Sequence, residues 1–367
     1  MTTLYELENV VLLPSQLNNG HPGDKIEFRV KDIADITGMA VSLPIFTAPM
    51  ESIVRGLNVE TFARQGIKPV LPGSEAIDIR MKWCEFVFCA FSLQEVHEIF
   101  LQQTPLRSQN QFHICIDAGN GHDKEIFSTA QALRRTYGTQ VLLMGGNVGL
   151  PEVYKDYSLA GFDYMRVGIA SSSLADEDKY GFHYPMASLL SDIKTFQTGG
   201  PGKGLKPVKI IADGGIATHS DIIKAIACGA DYVMIGRQFA HTVEAAGEIY
   251  KREQGQQDVQ INLGSIQGWN RERLITEGLN LYRGYYGNTT GEIRAKRGGF
   301  GSVSEWEASQ TGILVSDTSN KPNWILVDCS LEEWIDDFKE RVYYAFMMTG
   351  SLGWSEFKKN VRYSIRG

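Results

Sequence analysis

Short apolar runs and longer amphipathic stretches take turns along most of this chain of 367 residues. The runs at 42–47, 83–90, 112–116, 140–144, 164–167, 208–212 and 232–235 have the length and continuous apolar character of buried parallel strands. Between them, 93–103 carries Val96, Ile99 and Phe100 on one side, and 219–228 repeats Ile222, Ile223 and Ile226. Both spacings fit helices that bury a single stripe. Strand-then-helix alternation predicts βα units around a parallel sheet. One α/β barrel with insertions accommodates the length, so the fold class expected is a single-domain (β/α)8 TIM barrel over residues 1–367. The stretch 331–359, with Trp334, Phe338, Val342, Ala345 and Phe346 at helical spacing, predicts terminal helices packed on it.

Three segments break the rhythm. Residues 197–206 hold five Gly or Pro, 251–260 are strongly polar, and 284–321 are rich in Gly, Ser and Thr. The first two read as surface loops and the third as a mobile flap over the site.

Composition narrows the partners. At 43% hydrophobic and 22% charged residues with a net charge of −7, the chain has no basic stripe for nucleic acid. No apolar run has the length that spans a bilayer, and Met1-Thr2-Thr3-Leu4-Tyr5 lacks the basic and apolar regions of a signal peptide. A cytoplasmic protein with small-molecule partners or copies of itself is expected. Cys84, Cys89, Cys115, Cys228 and Cys329 are scattered, with no CxxC pair, and predict neither disulfides nor structural metal. The first three lie in strand-like runs and Cys228 in a helical one, so each reads as a buried packing residue.

The candidate chemistry sits where strands end. Ile210-Ile211-Ala212 runs into Asp213-Gly214-Gly215, and Val233-Met234-Ile235 into Gly236-Arg237 one βα unit later. Glycine after a strand lets backbone N–H groups approach phosphate oxygens, and Arg237 could add a forked charged contact. Each turn alone could be no more than a tight turn. Two in series match the phosphate site that late barrel strands form. Asp213 can only accept hydrogen bonds, which suits sugar hydroxyls.

These residues belong to a longer series. Tyr5 to Pro14, Leu43-Pro44-Ile45-Phe46-Thr47-Ala48-Pro49-Met50, Cys115-Ile116-Asp117-Ala118-Gly119-Asn120-Gly121-His122, Gly146-Asn147-Val148, Val167-Gly168-Ile169, Tyr282-Arg283-Gly284 and Glu305-Trp306-Glu307-Ala308-Ser309 follow one another along the chain. The chain resembles the IMP dehydrogenase/GMP reductase family in that order of motifs, and GMP reductase more closely in build. Leu71-Pro72-Gly73-Ser74 leads almost directly to the run at Trp83, so the resemblance implies no inserted CBS regulatory domain. It further implies a purine nucleoside monophosphate as ligand, NAD or NADP as cofactor, and a homotetramer. Ser173, Gly215, Gly236, Arg237 and Tyr282 would surround a 5′-phosphate and Asp213 would hold the ribose. Met50 with the backbone at Tyr285 and Tyr286 would line the purine, with Gly214, Gly284 and Ser309 also on the substrate side. Asp117, Gly119 and Asn147 would face the cofactor.

The loop after the Val167 run departs from the family. Where the family's cysteine attacks C2 of the purine, the aligned residue is Ala175, in Ser171-Ser172-Ser173-Leu174-Ala175-Asp176-Glu177-Asp178. Alanine cannot be a nucleophile, so the covalent mechanism is unavailable from that position. Glu177 stands where the family has a threonine that helps move protons, Glu307 replaces an arginine, and Gln310 replaces an acidic residue. Ala170 and Ser172 replace the glycines of a monovalent-cation loop, so no potassium site is expected. Three consecutive carboxylates can be a solvated run. Placed where a base would sit, Asp176, Glu177 and Asp178 become candidate acids or bases, Glu177 first, with Gln310 beside them. His122 and His183 are secondary candidates. The resulting reading is an NAD(P)-linked oxidoreductase without a cysteine adduct. A non-redox hydrolase, deaminase or transferase using the acidic loop, and a catalytically silent nucleotide sensor, are the alternatives. A barrel binding flavin phosphate through the same turns is a further one.

Overall fold

The structure, a computed structural model, describes residues 3–15, 23–31, 41–102, 111–118, 120–169, 182–199, 202–251, 259–278, 280–285 and 323–366. Eight strands share one sheet: β1 (Ile45–Thr47), β2 (Val70–Leu71), β3 (Phe88–Phe91), β4 (Phe112–Ile116), β5 (Val141–Val148), β6 (Tyr164–Val167), β7 (Lys209–Asp213) and β8 (Tyr232–Ile235). Every neighbouring pair is parallel, and β8 returns to lie beside β1. The remaining edges meet at Phe46, which bridges to Lys68 just before β2, with Thr47 N–H donating to Lys68 O at 2.9 Å. The result is a nearly closed α/β barrel of the TIM type.

Alternation along each strand builds two cores. Phe46, Phe88, Tyr164 and Tyr232 point inward, with the Phe46 ring 6.0, 5.8 and 5.3 Å from the other three centroids in edge-to-face contact. Their strand neighbours Ile45, Cys89, Met165 and Val233 point outward into the layer shared with the helices. That outer ring comprises α1 (Val59–Arg64), α2 (Ile77–Trp83), α3 (Leu93–Val96), α4 (Lys124–Tyr137), α5 (Tyr154–Ala160), α6 (Met186–Thr198) and α7 (His219–Cys228), with the short α8 (Arg237–Ala240) after β8. Helix α7 starts sharply because Thr218 Oγ1 accepts from Asp221 N–H at 3.2 Å while the Asp221 carboxylate accepts from Thr218 N–H at 2.8 Å. The terminal helices α9 (Leu331–Thr349) and α10 (Trp354–Asn360) complete the wall, with the Trp334 ring centroid 4.6 Å from that of His219 at a tilt of 52°.

Several expectations need correction. Residue 83 ends helix α2, and the strand expected over 83–90 begins only at Phe88. Cys84 therefore follows a helix instead of lying in a strand, although it, Cys89, Cys115 and Cys228 are buried as expected, and Cys329 is buried as well. The helix expected over 93–103 widens after α3 into a π-helical stretch, His97–Leu101. The ends of the supposed surface loop 251–260 belong to β9 (Ile249–Lys251) and β10 (Val259–Ile261), which pair antiparallel. With β11 (Leu281–Tyr285) and β12 (Asn323–Leu326) they form a second sheet ordered β10-β9-β11-β12. Most of the expected flap, from 286 onward, lies outside the described residues. Among the described residues no helix is long and apolar enough to cross a membrane.

Candidate active site

The C-terminal ends of β4 to β7 bring four polar side chains together. Asp117 follows β4, Asn147 lies near the end of β5, Arg166 is in β6 and Asp213 closes β7. Arg166 is the pivot, with 4% of its side chain accessible. Its Nη2 donates to Asp117 Oδ1 at 2.9 Å, and its Nε lies 4.0 Å from Asp213 Oδ2 with no hydrogen-bond partner among the described residues. Asn147 Nδ2 donates to the same Asp213 Oδ2 at 2.8 Å. Burial works against the Arg166 charge, but the carboxylates around it outweigh that and hold its pKa above the ordinary arginine value. Burial pushes the Asp213 pKa up, and Arg166 and Asn147 restrain the rise. About 19% of the Asp213 side chain remains open at the mouth, so the carboxylate is both surrounded by protein and reachable by a ligand.

The glycine turns flank this cluster. Gly214 and Gly215 have φ of 101° and 70°, values that Cβ-bearing residues rarely adopt. At Gly236 the constraint is space: a Cβ there would lie 2.9 Å from both Met50 Sδ and the Tyr285 hydroxyl. Met50, in the loop after β1, and Tyr285, at the end of β11, therefore converge on the turn after β8. Burial pushes the pKa of the Tyr285 hydroxyl up, and the nearby Arg237 restrains the rise.

Arg283 fixes this arrangement. It is fully buried and donates to four main-chain carbonyls at the end of α8 and just beyond it: Ala240 at 2.9 Å, Val243 and Gly247 at 3.1 Å each, and Thr242. Burial disfavours its charge, and Glu244 offsets this in part. Sequence reasoning assigned no role to Arg166 or Arg283. The signal was there, since each is a lone arginine within a short strand, where an unpaired charge could not be buried.

The expected phosphate tyrosine, Tyr282, lies in β11. Gly284, two residues on, is opposite Trp324, and Tyr282 itself is opposite Tyr250. The Tyr250 and Trp324 rings meet 5.1 Å apart across β11, where Gly284 offers no side chain. Alternation along β11 puts Tyr282 on that aromatic face.

The two histidines brace loops. His122 Nε2 accepts from Gly149 N–H at 3.0 Å, tying the loop after β4 to the end of β5, and burial lowers its pKa. His183 Nδ1 lies 3.3 Å from Ile169 O, while Nε2 pairs with Glu6, whose other oxygen accepts from Met186 N–H at 3.0 Å. It thus joins the two stems on either side of 170–181. Asp176, Glu177, Asp178, Ser173, Gly119, Ser309, Gln310 and Tyr286, with the cation-loop positions Ala170 and Ser172, lie outside the described residues. Among the described residues no group of three or more His, Cys, Asp or Glu could hold a metal ion.

Comparison with known proteins bears on the family and the fold. GMP reductase of Chromobacterium violaceum is 27% identical over 266 residues, 69% of this chain and 79% of that protein. Human GMP reductase 1 is 29% identical over 197 residues, 52% of this chain and 55% of that protein. The crystal structure of inosine 5′-monophosphate dehydrogenase from Legionella pneumophila shares the fold, with a TM-score of 0.69 at 20% identity over 100% of this chain and 99% of that one. The family model for the IMP dehydrogenase/GMP reductase domain matches residues 89–299, more than half of the chain. That span runs from β3 past β11 and includes the Arg166 cluster and both glycine turns, and on that ground the chain belongs to the IMP dehydrogenase/GMP reductase family.

Proposed function

We propose that this protein is an oxidoreductase that binds a purine nucleoside 5′-monophosphate at the barrel mouth and works with NAD or NADP without a cysteine adduct. The observation that carries the reading is the convergence of Met50, Gly236, Arg237 and Tyr285 beside the Asp213–Asn147–Arg166–Asp117 cluster. The Gly214-Gly215 and Gly236-Arg237 turns would hold the phosphate, Asp213 the ribose, and Met50 the base with the chain from Gly284. Ser173 and Ser309 would complete the substrate side.

Absence of a thiolate supports the departure from cysteine chemistry. Beyond Ala175, burial raises the thiol pKa of Cys84, Cys115 and Cys228 to about 12, and those of Cys89 and Cys329 rise as well. Proton transfer would fall to Glu177, flanked by Asp176 and Asp178 in the segment that follows β6, with Gln310 in support.

Asp117 suits a cofactor ribose: Arg166 orients its carboxylate while 21% of its side chain stays accessible, and hydroxyl donors match an acceptor-only group. Asn147 and Gly119 would lie on the same side. A nicotinamide cofactor, when bound there, would supply or accept the hydride. Homotetramer assembly goes with this reading of the family.

The lack of a thiolate also fits acid–base chemistry alone, and one assay separates the two. IMP, GMP and XMP are each incubated with oxidised and reduced NAD and NADP while absorbance at 340 nm and nucleotide consumption are followed. An absorbance change that survives thiol alkylation supports the redox reading. Nucleotide consumption without that change supports hydrolysis, deamination or transfer, and binding without turnover supports a sensor.

A further inference from the structure

We propose that the tyrosine that touches the ligand's phosphate in this protein is Tyr285, through its hydroxyl, and that Tyr282 is a packing residue of the outer face of β11. The inference rests on the reading of the Gly236-Arg237 turn as a phosphate site and changes which side chain serves it. Resemblance alone points to Tyr282, because Tyr282-Arg283-Gly284 is the matching motif.

The pleat of β11 decides between them. Leu281, Arg283 and Tyr285 alternate with Tyr282 and Gly284, so the two tyrosines are on opposite faces. Arg283 fixes which face is which, because its guanidinium is bonded to the carbonyls of Ala240, Thr242, Val243 and Gly247. A slip of one residue would swap the faces, but it would expel a fully buried arginine from four acceptors. On the outer face, the Tyr250–Trp324 contact over Gly284 occupies the surface that Tyr282 shares.

The inner face carries Tyr285 to the site. Its hydroxyl lies 2.9 Å from where a Gly236 Cβ would be, beside the start of the Arg237 turn. A neutral phenol carries an O–H that can donate. Beside a glycine turn and the Arg237 charge, a phosphate monoester oxygen is the acceptor that fits such a donor. Tyr285 would then add one directed hydrogen bond to the contacts of the glycine turns.

Calorimetric titration of wild type, Tyr285→Phe and Tyr282→Phe with ribose 5-phosphate, IMP, GMP and inosine tests this. Thermal melts confirm that each variant is folded. Tyr285→Phe should weaken every phosphorylated ligand by at least about tenfold, the worth of a hydrogen bond to a charged group, and leave inosine unchanged. Tyr282→Phe should not produce that phosphate-specific loss. Unaltered phosphate affinity in Tyr285→Phe, the loss appearing in Tyr282→Phe instead, or no binding of any phosphorylated probe by wild type would overturn the assignment. If wild type binds ribose 5-phosphate but neither IMP nor GMP, the purine reading fails on its own, and ribose 5-phosphate still decides between the tyrosines.

Discussion

Asn147 donates from Nδ2 to Asp213 Oδ2 over 2.8 Å, and this bond joins a residue expected on the cofactor side of the mouth to one expected on the ribose side. Arg166 extends the connection to Asp117. The two halves of the expected site therefore share one buried network, and a ligand that engages Asp213 also acts on the residues that orient Asp117.

The raised pKa of Asp213 gives nucleotide affinity a pH dependence with a definite sign. Burial favours the protonated acid in the folded protein, so the cost of ionising Asp213 is absent below the ordinary aspartate pKa and grows as pH rises toward the shifted value. Ribose hydroxyls donate more strongly to the ionised form, so affinity should fall on acidification through the window above the ordinary aspartate range. Titrations of wild type and Asp213→Asn across that window check this. The variant should bind more weakly and lose the dependence.

Replacing Arg166 with Met should cost about 3 to 5 kcal/mol of stability at neutral pH, because two partly buried carboxylates lose their counter-charge. Asp213, whose rise Arg166 restrains, would then take up its proton more readily. Urea unfolding should show the deficit shrinking as pH falls, and an equal deficit at every pH would contradict the account.

Adding one methyl at Gly236 places it 2.9 Å from Met50 Sδ and the Tyr285 hydroxyl. Gly236→Ala should cost about 1 to 3 kcal/mol by overpacking and remove most nucleotide affinity. Thermal melts and titration together separate the two effects.

His219 should make the attachment of α9 sensitive to acid. Burial between α7 and α9, with Arg341 nearby, lowers its pKa to about 4. A base with a depressed folded pKa contributes stability above its unfolded value, near 6.5, that is lost as pH falls toward 4. Trp334 fluorescence, reporting a ring 4.6 Å from the histidine, should change through that window in wild type and not in His219→Phe.

The barrel was legible wherever a strand was long and apolar, as at Phe112–Ile116, Tyr164–Val167 and Tyr232–Ile235. Val70–Leu71 was not, because two residues between Pro69 and Pro72 carry no periodicity. The second sheet was hidden by the polar hairpin after Lys251, whose outer positions Val259 and Gln260 are exposed. At the site, glycine after a strand and the order of motifs pointed to Asp213, Gly236 and Asn147, which the fold brings to the same end of the barrel. The face each tyrosine takes depends on the anchoring of Arg283 to carbonyls remote in sequence, so local pattern could not supply it.

The measurement that tests the central claim most directly is a thermal-shift panel of IMP, GMP, XMP and AMP, each with and without NAD(H) or NADP(H). The account predicts that one purine monophosphate raises the melting temperature and that a nicotinamide cofactor raises it further, since each ligand bound only to the folded state adds stability. No shift with any purine monophosphate would contradict it.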